Sequence, residues 1–219
     1  MDLVPLGNTA ALAYLSDEIA ALRFAEAVRR SAHSWLIDVV HAYVSVAVYF
    51  DLNQTHYAEV AKRLRELAHE CTAHIVDLPM RSHLIPCCYE YAPDLPRVAH
   101  ATGLPTNEVI RLHAETEYTV YAIGFSPGFP YLGYLPPELC GVPRLETPRL
   151  RVEPGSVGLT GRQTGIYPAE RPGGWNLIGR TPLELVNVAD NYFPLRTGDH
   201  VRFRPINKRE FTNLLGQRL

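Results

Sequence analysis

From residue 124 to residue 181 the chain reads GFSPGFPYLGYLPPELCGVPRLETPRLRVEPGSVGLTGRQTGIYPAERPGGWNLIGRT. This window holds 11 of the 15 glycines and nine of the 18 prolines. Glycine opens backbone conformations closed to other residues, and proline fixes φ and removes a donor. Long helices are thereby excluded here, and the apolar residues fall in short runs between breakers. Short strands joined by turns follow, the pattern of a barrel or a sandwich.

Outward from this window the elements become regular. Upstream, a strand is predicted over His83–Tyr89, helical stretches over Asp94–Ala101 and Thr106–Ala114, and a strand over Glu117–Ile123. Thr106 is placed to cap its helix, with Glu108 in the first turn. Downstream, LRTGDHVRFRPI (195–206) reads as a turn at Thr197–Asp199 feeding an alternating strand, as where a small β-barrel closes.

The first third is poor in glycine. Ala10–Leu15 reads as a strand, and Ser16 as an N-cap followed by Asp17 and Glu18, where the helix dipole favours acids. Ile19, Leu22, Ala25 and Val28 recur at helical spacing. Trp35–Val40 and Tyr43–Phe50 are β-branched and aromatic, two strands linked at His41-Ala42. A second helix spans about Thr55–Glu70, and Ala73–Leu78 closes the unit as a strand. The order is β-α-β-β-α-β, the ferredoxin-like pattern. The fold class is therefore α+β, with one domain over 1–80 and a second over 81–219.

Composition narrows the function. Of 219 residues 47% are hydrophobic, so a packed core is expected rather than disorder. The formal net charge of −2 provides no basic footprint for nucleic acid or an anionic membrane. No apolar run approaches the roughly 20 residues that span a bilayer. The N-terminus lacks the basic region of a secretory signal. Cys71, Cys87, Cys88 and Cys140 show no zinc-like spacing, so no metal site is expected and the thiols suit a reducing cytoplasm.

Three segments are dense enough to hold chemistry. In GFSPGFPYLG (124–133), Phe125, Phe129 and Tyr131 form either a tightly packed loop or an apolar wall for a ligand, and composition leaves both open. TPRLRVEPGSVGLTGRQTGIYP (147–168) carries Arg149, Arg151, Arg162, Gln163, Thr164 and Tyr167 among glycines. Arginine forks match carboxylate or phosphate, and glycine-rich backbone can cradle an anion. It is not a GxxxxGKS/T loop, so no independent ATP site follows. RPGGWNLIGRTP (171–182) offers Trp175 as an anchor and Arg180 beside Gly179. His113 stands alone before Glu115 and Glu117.

Taken in order, these segments resemble one family. GFSPGFPYLGYLP (Gly124–Pro136), PRLETPRLRVEPGSV (Pro143–Val157), GRQTGIYPAERPGGWNLIGRT (Gly161–Thr181) and GDHVRFRPI (Gly198–Ile206) are similar to the 5-oxoprolinase B subunit, allophanate hydrolase subunit 1 and sporulation-kinase inhibitors, the carboxyltransferase subdomain C and D family. The opening PLGNTA (Pro5–Ala10) and the Leu112-His113 and Tyr118–Val120 segments fit the same pattern. Two departures stand out: Glu153 in VEPG where the family has VPAG, and Tyr89-Glu90-Tyr91 in place of a glycine-rich YGG. The resemblance implies a small N-terminal α+β domain, a C-terminal cyclophilin-like β-barrel, a paralogous second-barrel subunit and a separate A subunit.

What the resemblance implies for function is a subunit of an ATP-dependent amidohydrolase, with magnesium and ATP acting through the complex. 5-Oxoproline, ATP and water would give glutamate, ADP and phosphate, and the chain alone would be inactive. Arg149, Arg162 and Arg180 would balance phosphate or carboxylate charge. Gln163 and Thr164 would hold the amide or its oxyanion, and Phe129, Tyr167 and Trp175 would form the apolar wall. His113 would move a proton. A kinase-inhibitor relative would instead dock a histidine kinase through the same groove. A carboxyltransferase-type relative of the allophanate and urea pathways would use biotin.

Overall fold

Asp17, not Ser16, caps the first helix. In the computed structural model, which describes residues 1–73, 78 and 80–219, its carboxylate accepts from the Ala20 N–H at 2.8 Å. Ser16 donates to the other carboxylate oxygen. Aspartate wins because its ionised side chain both accepts from the first turn and complements the helix dipole.

The chain divides into two compact units, Met1–Pro79 and Met80–Leu219. In the first, strands β1 (Asp2–Leu6) and β2 (Ala10–Tyr14) precede helix α1 (Glu18–Ser31). Strands β3 (Leu36–Ala42) and β4 (Ser45–Phe50) and helix α2 (Tyr57–Ala73) follow. The strands are antiparallel in the order β1-β2-β4-β3.

Strand β1 was not expected. Pro5 interrupts its pattern, and an edge strand tolerates proline because one side needs no ladder donor. The hairpin turn also lies two residues later than the predicted His41-Ala42 link. It falls at Tyr43-Val44, where Tyr43 takes φ +54°, while Ala42 still pairs with Ser45. Ala73 ends α2, and the rest of the predicted Ala73–Leu78 strand, apart from Leu78, lies outside the described residues.

The two helices cover one sheet face. Phe24, Ala25 and Val28 from α1 and Val60, Leu64 and Leu67 from α2 pack on Ala11, Ala13, Val46, Val48 and Phe50. Each large side chain so buried contributes about 1.5–3 kcal/mol.

The second unit starts with β5 (Ser82–Cys87), then α3 (Leu95–Thr102), α4 (Thr106–Glu115) and β6 (Glu117–Ile123). Thr106 opens α4 but makes no capping hydrogen bond. Next come β7 (Pro130–Gly133), a short 3-10 turn (Pro137–Leu139), β8 (Arg149–Val152), β9 (Ser156–Thr160) and β10 (Gln163–Ile166). The chain finishes with β11 (Arg171–Gly173), β12 (Asn176–Arg180), β13 (His200–Pro205) and α5 (Lys208–Leu214).

Strand β5 runs parallel to β13, and β13, β6, β7, β10, β9 and β12 pair antiparallel in that order. Cys88 and Arg180 then exchange backbone hydrogen bonds of 2.8 and 3.0 Å, returning the path to the end of β5. The ring is closed, and β8 and β11 form a separate two-stranded ribbon. Closure leaves no edge among the ring strands.

Gly155, just before β9, is held between two other segments of the second unit. Its N–H donates to Tyr167 O at 2.7 Å, and its own carbonyl accepts from Thr181 N at 2.9 Å. Its φ is +81°, and a Cβ there would overlap the Thr181 carbonyl. Gly155→Ala is expected to cost about 2–3 kcal/mol, from a strained backbone and an overlap that cannot relax. A lower urea midpoint with an unchanged m-value is the predicted readout.

Candidate functional site

Strand β10 alternates between two environments. Thr164 and Ile166 point into the barrel core, whereas Gly165 faces the opposite side. Gly165 pairs in register with Gly158 of β9. A Cβ on Gly165 would lie 3.0 Å from the Trp175 ring and 3.1 Å from the Phe129 ring, and one on Gly158 would lie 3.1 Å from Trp175 Cβ. Two facing glycines thus make a flat floor on which the indole rests.

Around it the aromatic rings meet edge to face. Phe129 lies 5.0 Å from Tyr131, 5.1 Å from Tyr167 and 5.5 Å from Trp175, centroid to centroid. This is the preferred arrangement of ring quadrupoles. The rings line a cleft of about 220 Å³ that also includes Phe125, Arg144, Pro148 and Pro172–Gly174. Burial raises the Tyr131 and Tyr167 phenols, and the Arg144 charge partly opposes this at both.

The loop carrying Arg144 is fastened on both sides. Fully buried Asn176 donates from Nδ2 to Pro143 O at 3.0 Å and to Leu159 O at 3.1 Å. Arg97 donates to the Asn176 Oδ1, and Leu145 N donates to Gly174 O at 2.8 Å. Beyond the loop, Arg149 pairs with Asp94 at 2.6 Å, while Asp94 also accepts from Leu177 N at 2.7 Å. Among the described residues Arg144 has no ion-pair or hydrogen-bond partner, although it lines the cleft.

Residues 1–194 match the family described as carboxyltransferase domain, subdomain C and D. The chain belongs to this family. Similar members include the 5-oxoprolinase B subunit of Haemophilus influenzae, 36% identical over 211 residues that cover 93% of this chain and 97% of that protein. The 5-oxoprolinase B subunit of Bacillus subtilis is 37% identical over 194 residues, 80% of this chain and 78% of its own. The crystal structure of TTHA0988 superposes with a TM-score of 0.78 at 34% identity. The match covers 91% of this chain but only 40% of that one, so this chain spans less than half of the solved protein.

Within this carboxyltransferase-family chain the expected site residues separate. Phe129, Tyr167 and Trp175 come together in the cleft, joined by Phe125 and Tyr131. The three expected arginines do not line it. Arg149 is held by Asp94, and Arg162 lies over the Tyr134 ring at 4.4 Å. Arg180 donates to Pro154 O at 2.8 Å and lies 3.7 Å from Glu153. Gln163 is half-buried on β10 outside the lining.

His113 and Thr164 are in the barrel core, not the cleft. Thr164 Oγ1 donates to Gly158 O at 3.0 Å, so it must accept from His113 Nε2 at 2.9 Å. His113 Nδ1 then accepts from the Tyr89 hydroxyl at 2.8 Å. The histidine is neutral, with both ring nitrogens satisfied, and burial holds its pKa down at about 3. Sequence reasoning passed over Arg144, Asp94 and Asn176. Arg144 opens the PRLETPR motif beside a proline, a signal that could have marked it.

Among the described residues no group of three or more His, Cys, Asp or Glu side chains could hold a metal ion. Among them, too, no helix is long and apolar enough to cross a membrane.

Proposed function

We propose that this chain is the B-type component of an ATP-dependent cyclic-amide hydrolase that opens 5-oxoproline to glutamate in the cytoplasm. It would act with a paralogous second-barrel subunit and an A subunit, and be inactive alone. The observation that carries the proposal is the match to a 5-oxoprolinase B subunit along 97% of that relative's length. On this reading the first unit is a ferredoxin-like domain with an added edge strand, and the closed ring is a cyclophilin-like barrel.

The cleft fits the small amide better than the nucleotide. Its volume of about 220 Å³ is below the roughly 300–1,000 Å³ of drug-sized sites, and its lining carries one formal cation, Arg144. A triphosphate with magnesium needs several cations or a nest of N–H groups and metal ligands, so ATP is assigned to the partner subunits. A lactam carbonyl is a poor electrophile, and ATP supplies the phosphoryl group that turns its oxygen into a leaving group. This chain's part is to hold the ring against Phe129, Tyr167 and Trp175 and to exclude water from it.

Co-expression with the neighbouring subunits, followed by an assay of ATP-dependent glutamate release from 5-oxoproline, tests the proposal. Turnover by the complex and none by the chain alone is expected. No turnover with all partners present would reject it.

A further inference from the structure

The cleft has apolar walls and one charged lining residue, Arg144, which has no ion-pair or hydrogen-bond partner among the described residues. Phe129, Tyr167 and Trp175 are packed together as the buried base of the cleft, and the more exposed Phe125 and Tyr131 rings are the apolar surface open to a small flat molecule. Arg144 is exposed and has no carboxylate of its own among the described residues. Each arginine of the neighbouring 147–181 stretch has at least one contact, although Arg149 Nη1 is buried without a hydrogen-bond partner among the described residues. Arg149 pairs with Asp94, Arg151 with Glu170 and Arg180 with Pro154 and Glu153, while Arg162 covers Tyr134 and Arg171 bonds Glu170 O.

We infer that Arg144 is the specificity-determining residue of the cleft, selecting small cyclic ligands that carry a carboxylate over the same rings without one. This rests on the reading that the cleft holds the amide substrate, and adds to it the group that recognises the carboxylate. An unpaired guanidinium beside an apolar wall is the arrangement that binds a carboxylate through a two-pronged, charge-assisted contact. The loop is built for such a task. Asn176 holds Pro143 on one side of Arg144, Gly174 O holds Leu145 on the other, and the Arg149–Asp94 pair fastens the chain beyond. The guanidinium therefore projects from a fixed backbone, which lowers the ordering cost of binding. Arg149 is on this account a positioning residue.

The Tyr131 and Tyr167 phenols fit the same picture. Phenols are neutral near pH 7 in any case and burial raises these two further, so they do not compete as anions for Arg144.

The test uses the full chain, with 5-oxoproline and its carboxylate-free counterpart 2-pyrrolidinone titrated by NMR against wild type, Arg144→Gln and Arg144→Lys. Arg144 is exposed and has no hydrogen bond or ion pair among the described residues, so both variants should melt like wild type. Wild type should favour 5-oxoproline by about tenfold or more, the worth of a charge-assisted pair. Arg144→Gln should abolish that preference while leaving 2-pyrrolidinone unchanged, and Arg144→Lys should retain part of it. No binding to wild type, no preference, or a preference surviving in Arg144→Gln would each overturn the inference. Equal weakening of both ligands would also overturn it, since a structural role acts on both alike. A chain that shows the Arg144-dependent preference while its complex leaves 5-oxoproline intact would uphold this inference and reject the enzyme reading separately.

Discussion

Phe129→Ala is expected to lower the unfolding free energy of the second unit by about 3–5 kcal/mol, the range for deleting a fully buried aromatic. Phe129 is 1% exposed and is the ring all the others touch. Its centroid lies 5.4 Å from Phe125 as well as within 5.5 Å of Tyr131, Tyr167 and Trp175. Alanine would remove four ring contacts and leave a void against the Gly165 backbone. Against a typical domain stability of about 5–15 kcal/mol, this is a large fraction.

Phe129→Leu keeps most of the volume and loses the ring edges, so its loss should be near 1–2 kcal/mol. Urea unfolding followed by fluorescence measures both. Trp175 packs directly on the altered site, whereas Trp35 belongs to the first unit. A loss below roughly 1.5 kcal/mol in Phe129→Ala would show the aromatic floor to be loosely packed.

Acid should destabilise both units well before the carboxylates titrate. Burial lowers His113 from an ordinary 6.5 to about 3, and His41 of the first unit to about 4. In the unfolded chain both rings return to the ordinary value. The unfolded state therefore binds protons first as pH falls, and stability declines with it.

The contribution is complete above pH 6.5, the ordinary value of the ring. It is lost downward from there, until about pH 4 for His41 and about pH 3 for His113. Each ring adds a slope approaching about 1.4 kcal/mol per unit of pH. The groups facing His113 do not offset this. Tyr89 and Cys87 are pushed up by burial and stay neutral, and Tyr118 donates its hydroxyl to the His113 carbonyl. Urea midpoints taken from roughly pH 7.5 to 4.5 should level off above about 6.5 and fall below it. His113→Gln should be less stable near neutral pH, because Tyr89 and Thr164 lose a partner, yet should show a shallower pH slope in the second unit. An unchanged slope would mean that the buried histidine is not the proton-linked group.

Much of the molecule could be read from its letters. The glycine- and proline-rich run from Gly124 announced short strands and turns, and the helical spacing of Ile19, Leu22, Ala25 and Val28 marked α1, because these signals are local. The aromatic wall was also legible, since Phe129, Tyr167 and Trp175 stand beside the glycines that make room for them. β1 was missed because Pro5 breaks its pattern, and a proline's tolerance depends on whether the strand lies at an edge, which no local window reveals.

The polar half of the site was decided in three dimensions. Arginine at 144, 149, 162 and 180 is the same residue type within one glycine- and proline-rich stretch, with Arg149 and Arg180 at strand ends and Arg144 and Arg162 in loops, and only the fold determines which finds a partner. Asp94 takes Arg149 from 55 residues away in sequence, Tyr134 takes Arg162, and Glu153 and Pro154 take Arg180. On β10, one step along the strand reverses the face, so Thr164 enters the core with His113 while Gly165 carries the cleft floor. The amino-acid sequence by itself determined the family, the α+β class and the aromatic character of the cleft, because motif, spacing and side-chain type are local properties. Which arginine is left without a partner among the described residues, and that His113 is a buried structural group, depended on long-range pairing and register, which exist only once the ring has closed.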